Sequence, residues 1–460
     1  MSDQLQAITI ISHGQTHQIT IKRMAIFHRM KIIEAISNKD EAYYLFFYKD
    51  QFITGKNTKV KRNSLLHKAF NQGIVFNSPH PLIDVLLPVE QTYQLLTINQ
   101  IYKVLLKKYS PQETALILSF FDAFVPKEKI IEVMKKFYYH FRRKGQYRFA
   151  YQILIILHNY DPNEKWAVEL VNHIDFLKYK LIYDERGREL QAKDPLYTEI
   201  LSFTKREKEP YFSHLEAVLT KESRWADLIS LYIRESTKSE QRYDQFLSLI
   251  TKHFSKKDRI FLLQNNAAQM KQVPQELLDL LINTEQNEEA VNLLIEQPRE
   301  NLAFSQVEQL TNLLDKDSLC IEKLHLENLC SYLTYVENEE TIEKILQMMV
   351  PQLLKKFDLL YVHKWSQPLR KINRRIPILS MIQTMVVIQD DPDQQFYLGK
   401  LYHKLNQSKK AIECFNWEME LNPNDPEPVQ WITKVYLELG MIEESNTYKK
   451  IYTSMQRVSG

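Results

Sequence analysis

The sequence predicts a mainly α-helical protein, a right-handed α-solenoid of stacked helix pairs preceded by a small mixed α/β or irregular N-terminal region. Three observations point there. Glycine is scarce, 8 of 460 residues, which disfavours a Gly-rich nucleotide-binding α/β enzyme and suits helices joined by short turns. From Thr92 onward apolar residues recur three and four apart, the period of a helix. Residues 1–90 depart from that pattern, with strand-like apolar stretches, three of the eight glycines (Gly14, Gly55, Gly73) and a closing group of Pro79, Pro81 and Pro88.

On this reading the chain divides into residues 1–90, a degenerate helical array over 91–390, and better-defined repeats with a cap over 391–460. In the first region, residues 8–11 and 18–21 flank Ser12-His13-Gly14-Gln15-Thr16 and predict a hairpin. Residues 23–36 predict a short amphipathic helix, and residues 43–53 are aromatic-rich around Lys49-Asp50. Ser110-Pro111-Gln112-Glu113 predicts a helix start: the serine caps, the proline fits the first turn, and Glu113 reaches back to the cap amide. Leu116, Ile117, Phe120, Phe121 and Phe124 then share one face, and Pro126 is the expected stop. Helix pairs follow over 211–219 with 225–235, turning at Lys221-Glu222-Ser223, and over 275–283 with 288–296. Residues 319–336, 341–357 and 376–388 each show the helical period.

The most specific spacing lies in residues 392–426. Counted from Pro392, Leu398 and Gly399 fall at positions seven and eight, Tyr402 at eleven, Ala411 at twenty, Phe415 at twenty-four and Pro423 at thirty-two. Gly399 lets a second helix lie close, Tyr402 and Phe415 fill the seam, Ala411 admits close approach, Asn406-Gln407-Ser408 turns, and Pro423 ends the second helix. This pattern resembles the tetratricopeptide repeat. A second stretch, counted from Ile131, places Phe141, Ala150, Leu154 and Pro162 alike around a turn at Lys144-Gly145-Gln146. Tyr138 stands there where the family has a small residue, so that pair must open or shift its register. From Pro426 the register keeps Tyr436 at eleven but puts Thr433, Ser445 and Lys449 at eight, twenty and twenty-four, the polar trade expected of a terminal repeat.

The resemblance implies a scaffold that binds proteins or peptides on a concave face and carries no chemistry of its own. In that family the inner face comes from positions two, five, nine, twelve and thirteen. Here these are Asp393, Phe396, Lys400, His403 and Lys404, with Gln430 and Lys434 in the following repeat and Lys135, Tyr139, Arg142 and Arg143 in the early one. Cations beside Phe396 or Tyr139 would clamp a carboxylate of an acidic peptide while the rings take an apolar anchor. The family's clamp also uses asparagines, and none stands at positions five or nine. The plainer alternative is that these lysines are the solvated face of a helix.

The charge is uneven. Residues 1–150 hold 22 Lys+Arg against 11 Asp+Glu, or +11, and the remainder 38 against 46, or −8. The basic third meets something acidic, or it meets the acidic remainder of its own chain. A nucleic-acid-associated regulator is therefore the alternative function, resting on the basic run 56–68 and on the aromatics among cations over 135–148. Phe137, Tyr138 and Phe141 in the latter have core spacing. A third basic run, residues 370–375, is short. Ser12-His13-Gly14 resembles the Arg-His-Gly signature of histidine phosphatases without its arginine, and His13 with His17 straddles a turn glycine, a poor metal site. Asp390, Asp391 and Asp393 suit a helix start. No enzyme activity, cofactor or metal is expected. Cys320, Cys330 and Cys414 are widely spaced, and the N-terminus lacks a signal-like apolar run. No stretch has the length and apolarity of a membrane span, so a cytoplasmic protein is expected.

Overall fold

The structure, a computed structural model, describes residues 7–12, 14–57, 61–88, 91–185, 188–235, 240–267, 275–296, 304–316, 319–372 and 375–458. It is mainly helical with an N-terminal β region, and it divides into two compact units, Met1–Arg259 and Ile260–Gly460. In the first unit the strands β1 (Ala7–Ser12), β2 (Gln15–Phe27), β3 (Met30–Ser37), β4 (Ala42–Tyr48), β5 (Gln51–Asn57), β6 (Ile74–Asn77) and β7 (Thr92–Gln94) form a seven-stranded sheet. Its order is β5-β4-β3-β2-β1-β7, with β6 on the far half of β2. The two ends of that order meet: Leu96 N donates to Thr54 Oγ1 at 2.9 Å and Lys56 Nζ to Leu96 O at 2.7 Å, so the sheet curls toward a barrel.

The expected hairpin of residues 8–21 forms, with Gly14 at φ +78° in its turn. His13 lies outside the described residues. The expected helix over 23–36 does not form. Residues 24–27 and 30–33, Lys31 included, are buried whichever way their side chains alternate, so both faces of β2 and β3 are covered here; a lone amphipathic helix would bury one stripe. Arg23 and Glu34 are register partners across β2 and β3 and form an ion pair there. The helix capped by Ser110 and Glu113 starts as expected but ends at Ser119. Phe121 and Phe124 leave it to pack on Phe46, at centroid distances of 4.7 and 5.7 Å, and Phe120 packs on Phe27 at 6.2 Å. Helix begins again only at Lys127, after Pro126.

The sheet is held to the helices by charge. Two tight turns, β2–β3 at His28-Arg29 and β4–β5 at Lys49-Asp50, lie side by side, with Lys49 N donating to Arg29 O at 2.7 Å. From this end Arg29 reaches Glu199 at 2.6 Å, Lys31 reaches Asp227 at 3.1 Å, and Lys49 reaches Glu222 at 2.9 Å. Arg224 joins both carboxylates, Asp227 at 3.0 Å and Glu199 on its other oxygen. Tyr48 accepts from Arg29 and donates to Glu113 at 2.8 Å, tying in the capped helix. Arg29, Lys31, Glu199, Arg224 and Asp227 are all buried. Burial opposes the ionised form of Asp227, but Lys31 and Arg224 outweigh it and hold its carboxyl below the usual range. Part of the basic excess of the first third is thus matched by carboxylates of residues 199–227.

The helices pair through a shared device. Gly145, Ser223, Glu285, Asn406 and Gly440 have φ between +55° and +74°. In each case the next residue's N–H returns to a carbonyl five positions back: Gln146 to Phe141, Arg224 to Leu219, Gln286 to Leu281, Gln407 to Tyr402 and Met441 to Tyr436, at 2.9–3.0 Å. That is the Schellman closure, which satisfies carbonyls orphaned at a helix C-terminus. It joins Lys127–Arg143 to Tyr147–Tyr160 and Glu209–Lys221 to Trp225–Glu235 in the first unit. In the second it joins Gln275–Asn283 to Asn287–Ile295, Gln395–Lys404 to Ser408–Leu421, and Pro426–Glu438 to Ile442–Val458. Five residues past each left-handed position stands a buried residue: Ala150, Leu228, Ala290, Ala411 or Ser445. Tyr138, too large for the seam, is buried and turns its ring edge-on to Trp166 of the following helix at 4.9 Å. Residues 341–357 and 376–388 are helical as expected, over Glu339–Lys356 and Pro377–Ile388, whereas 319–336 yields only a short 3-10 turn and the helix Leu326–Leu333.

Four outcomes are expected. Glu285→Gly, at an exposed left-handed position, raises stability by ~1 kcal/mol, whereas Gly145→Ala, with open space around its Cβ, lowers it by a similar amount; chemical denaturation reads both. Glu199→Gln leaves Arg29 and Arg224 short of a buried partner and costs ~3–5 kcal/mol in the first unit's unfolding transition. Asp122, which accepts from Leu65 N at 2.9 Å, has its carboxyl pushed up from 3.8 to about 6 by burial. A raised folded-state pKa gives stability that is complete below the unfolded value and lost as pH rises through the folded one. Relative to Asp122→Asn, the native chain should therefore lose stability between pH 3.8 and 6.

Candidate functional site

The C-terminal repeats set two helices side by side, Gln395–Lys404 and Pro426–Glu438, with Ser408–Leu421 behind them. Gly399 lets Gln395–Lys404 lie close against Ser408–Leu421: a Cβ there would stand 2.6 Å from the Phe415 ring. Phe415, fully buried, braces both front helices, its ring 5.7 Å from Phe396 and 5.9 Å from Trp431. The turn is anchored to the helix Glu339–Lys356, where Gln407 Nε2 donates to Pro351 O at 2.7 Å and Lys410 Nζ to Leu354 O at 2.9 Å.

On the front, Phe396, Lys400 and His403 project from one helix at spacings of four and three; Glu427, Trp431, Lys434 and Glu438 follow the same rhythm on the other. Lys400 Nζ lies 3.9 Å from the Phe396 ring centroid and 5.6 Å from that of Trp431, and Lys434 Nζ lies 4.7 Å from Trp431. The carboxylates of Glu427 and Glu438 stand 3.8 Å from Lys400 and 3.9 Å from Lys434, beyond hydrogen-bond length. His403 Nε2 is 2.7 Å from Glu438 Oε2, and its ring meets Trp431 edge-on at 5.4 Å.

Of the residues singled out from sequence, the structure therefore brings together Phe396, Lys400, His403 and Lys434. Lys404 and Gln430 are exposed on the same helices and take no part in these contacts among the described residues; Asp393 is exposed at the helix start, its amide capped by Asp391. Trp431, the centre of the face, falls at position six of its repeat, outside the inner positions used for the expectation. Its spacing of three from Lys434, and the rarity of tryptophan, 5 in the chain, were the available signals.

The early set lies in the other unit and is already engaged. Lys135 binds Glu164 at 2.9 Å and covers Trp166 at 4.9 Å. Arg142 binds Asp175 at 2.5 Å and stacks on Tyr147 at 4.8 Å; Arg143 Nε donates to Tyr139 O at 3.3 Å. Tyr139 is half exposed beside Trp166. Phe137, Tyr138 and Phe141 are core residues. In the basic run 56–68, Lys59 lies outside the described residues, as do residues 373–374 of the run 370–375. Burial pushes the thiols of Cys330 and Cys414 up to about 12 and about 11, away from nucleophilic use. Among the described residues no group of three or more His, Cys, Asp or Glu is placed to hold a metal ion, and no helix is long and apolar enough to cross a membrane.

No family model and no curated protein sequence matches the chain.

If the face is held as described, Trp431→Ala removes the ring that Lys400, His403, Lys434 and Phe415 share. It should cost ~3 kcal/mol of stability in the second unit, whereas Lys404→Ala should change stability by less than ~0.5 kcal/mol; thermal denaturation compares them.

Proposed function

We propose that this chain is a non-catalytic protein- or peptide-binding scaffold or adaptor. On this reading its helix pairs form a tetratricopeptide-type solenoid, and its contact surface is the cation–aromatic face of Gln395–Lys404 and Pro426–Glu438. The observation that carries the proposal is the half-engaged state of Lys400 and Lys434. Each rests against an aromatic ring, and each has its carboxylate neighbour just outside hydrogen-bond length. A carboxylate of an acidic peptide placed between them gains charge-assisted hydrogen bonds, while Glu427, exposed, returns to water and Glu438 keeps its contact with His403. Phe396 and Trp431 supply rings for an apolar side chain of the same peptide. The early set supports binding less well, because Lys135 and Arg142 already hold carboxylates of their own chain. The proposal includes a cytoplasmic setting, in keeping with three free cysteines.

A peptide array of acidic and neutral sequences, probed with the intact chain and with Lys400→Glu/Lys434→Glu, tests the reading. Acidic peptides containing an apolar residue should bind the native chain and lose affinity about tenfold or more in the double variant. Retention of nucleic acid instead, lost steeply with salt and unchanged in the variant, would favour the alternative of a regulator docking through the basic N-terminal third.

A further inference from the structure

The first unit contains a cavity of about 300 Å³ between the second half of β2, the helix Pro81–Leu86 and the helix Trp225–Glu235. That volume is at the small end of the range for ligand pockets. Ile26, Leu82, Leu86 and Trp225 line it. Trp225 is a fixed wall, stacked on His253 with ring centroids 4.1 Å apart and planes within 2°, and met edge-on by Phe254 at 5.8 Å. Its polar lining is Gln91, Ser230 and the charged end of Lys31 and Asp50.

The chemistry of that end is specific. The buried Lys31 ammonium gives one N–H to Asp227 at 3.1 Å and one to Asp50, which leaves a third for another acceptor. Carboxylates already outnumber cations in the cluster it belongs to: Arg29, Lys31, Lys49 and Arg224 stand against Asp50, Glu113, Glu199, Glu222 and Asp227. An anionic ligand would add to that excess, and a cationic one would set its charge against the Lys31 ammonium beside a buried cluster. We propose that this cavity is a binding site for a small, uncharged, mainly apolar molecule whose single carbonyl or ether oxygen accepts the third N–H of Lys31. The site is independent of the peptide face, which lies in the other unit.

Ligand-observed NMR titration of the intact chain tests this with three probes of similar size: acetophenone, which has the acceptor; ethylbenzene, which lacks it; and benzoate, which is charged. Acetophenone should bind about tenfold more tightly than either of the others, the scale of one hydrogen bond. Val85, 40% exposed on the lining of the cavity, allows a blocking variant away from the ion cluster. Val85→Trp should abolish acetophenone binding while leaving the circular dichroism spectrum and Tm as in the native chain. The proposal is overturned by no acetophenone binding to the native chain, by equal binding of benzoate, or by undiminished binding to a folded Val85→Trp. If that variant fails to fold, the ranking of the three probes on the native chain still decides.

Discussion

One backbone constraint recurs through both units: a helix is closed by a single residue in the left-handed region, and the next amide returns to a carbonyl five positions back. Much follows from it. The residue that supplies that carbonyl lies on the seam of the pair, and in four of the five cases it is a large apolar or aromatic side chain in the first helix, Phe141, Leu219, Leu281 or Tyr402, that is buried. The second helix then starts at a fixed distance from the turn, so the residue five past the left-handed position comes to the interface. There the chain uses Ala150, Ala290, Ala411 and Ser445, all small, in four of the pairs and Leu228 in the fifth. The turn thus converts a local φ preference into a packing register.

Charged groups divide by burial into two kinds of work. Around Arg29, Lys31, Arg224, Glu199 and Asp227 desolvation makes each charge dependent on its partners, so the cluster specifies how the turn end of the sheet meets the helices of residues 195–235. At Lys400 and Lys434 the same side-chain types are only partly covered, and their ion pairs are long and exposed to water. Pairs of that kind contribute little to stability. They can exchange their carboxylate for another at small cost, which is what the proposed recognition surface needs. The composition of the chain does not separate these roles; their surroundings do.

The helical class, the hairpin of residues 8–21, the capping box at Ser110 and Glu113, and the turns at Gly145, Ser223 and Asn406 were legible because each rests on short-range chemistry. The helix expected over residues 23–36 was misread because a central strand buried on both faces has no clean period of two, and its apolar residues also fall three and four apart. The early end at Ser119 reflects long-range attraction of Phe120, Phe121 and Phe124 to the sheet, which no local rule records. At Glu285 the closure uses a residue that does not announce a turn, and at Ser223 the turn was legible but its left-handed closure was not, so the kinship of those pairs with the glycine-closed ones shows only in the backbone. In the candidate site, Phe396, Lys400, His403 and Lys434 followed from register, whereas Trp431 did not, because its place depends on Phe415 behind it. The ion cluster joins residues more than 160 positions apart, Arg29 with Glu199 and Lys31 with Asp227, and sequence spacing carries no trace of it.

The claim most open to direct measurement is that the five helix pairs close alike. Amide hydrogen exchange of the intact chain, resolved at Gln146, Arg224, Gln286, Gln407 and Met441, reports it. All five amides should exchange slowly, at rates close to those of the helices they join, since each donates a hydrogen bond within a folded pair. Exchange at Arg224 and Gln286 as fast as in an open loop, with protection kept at the glycine-closed turns, would contradict it and leave the middle helix pairs as a different kind of structure.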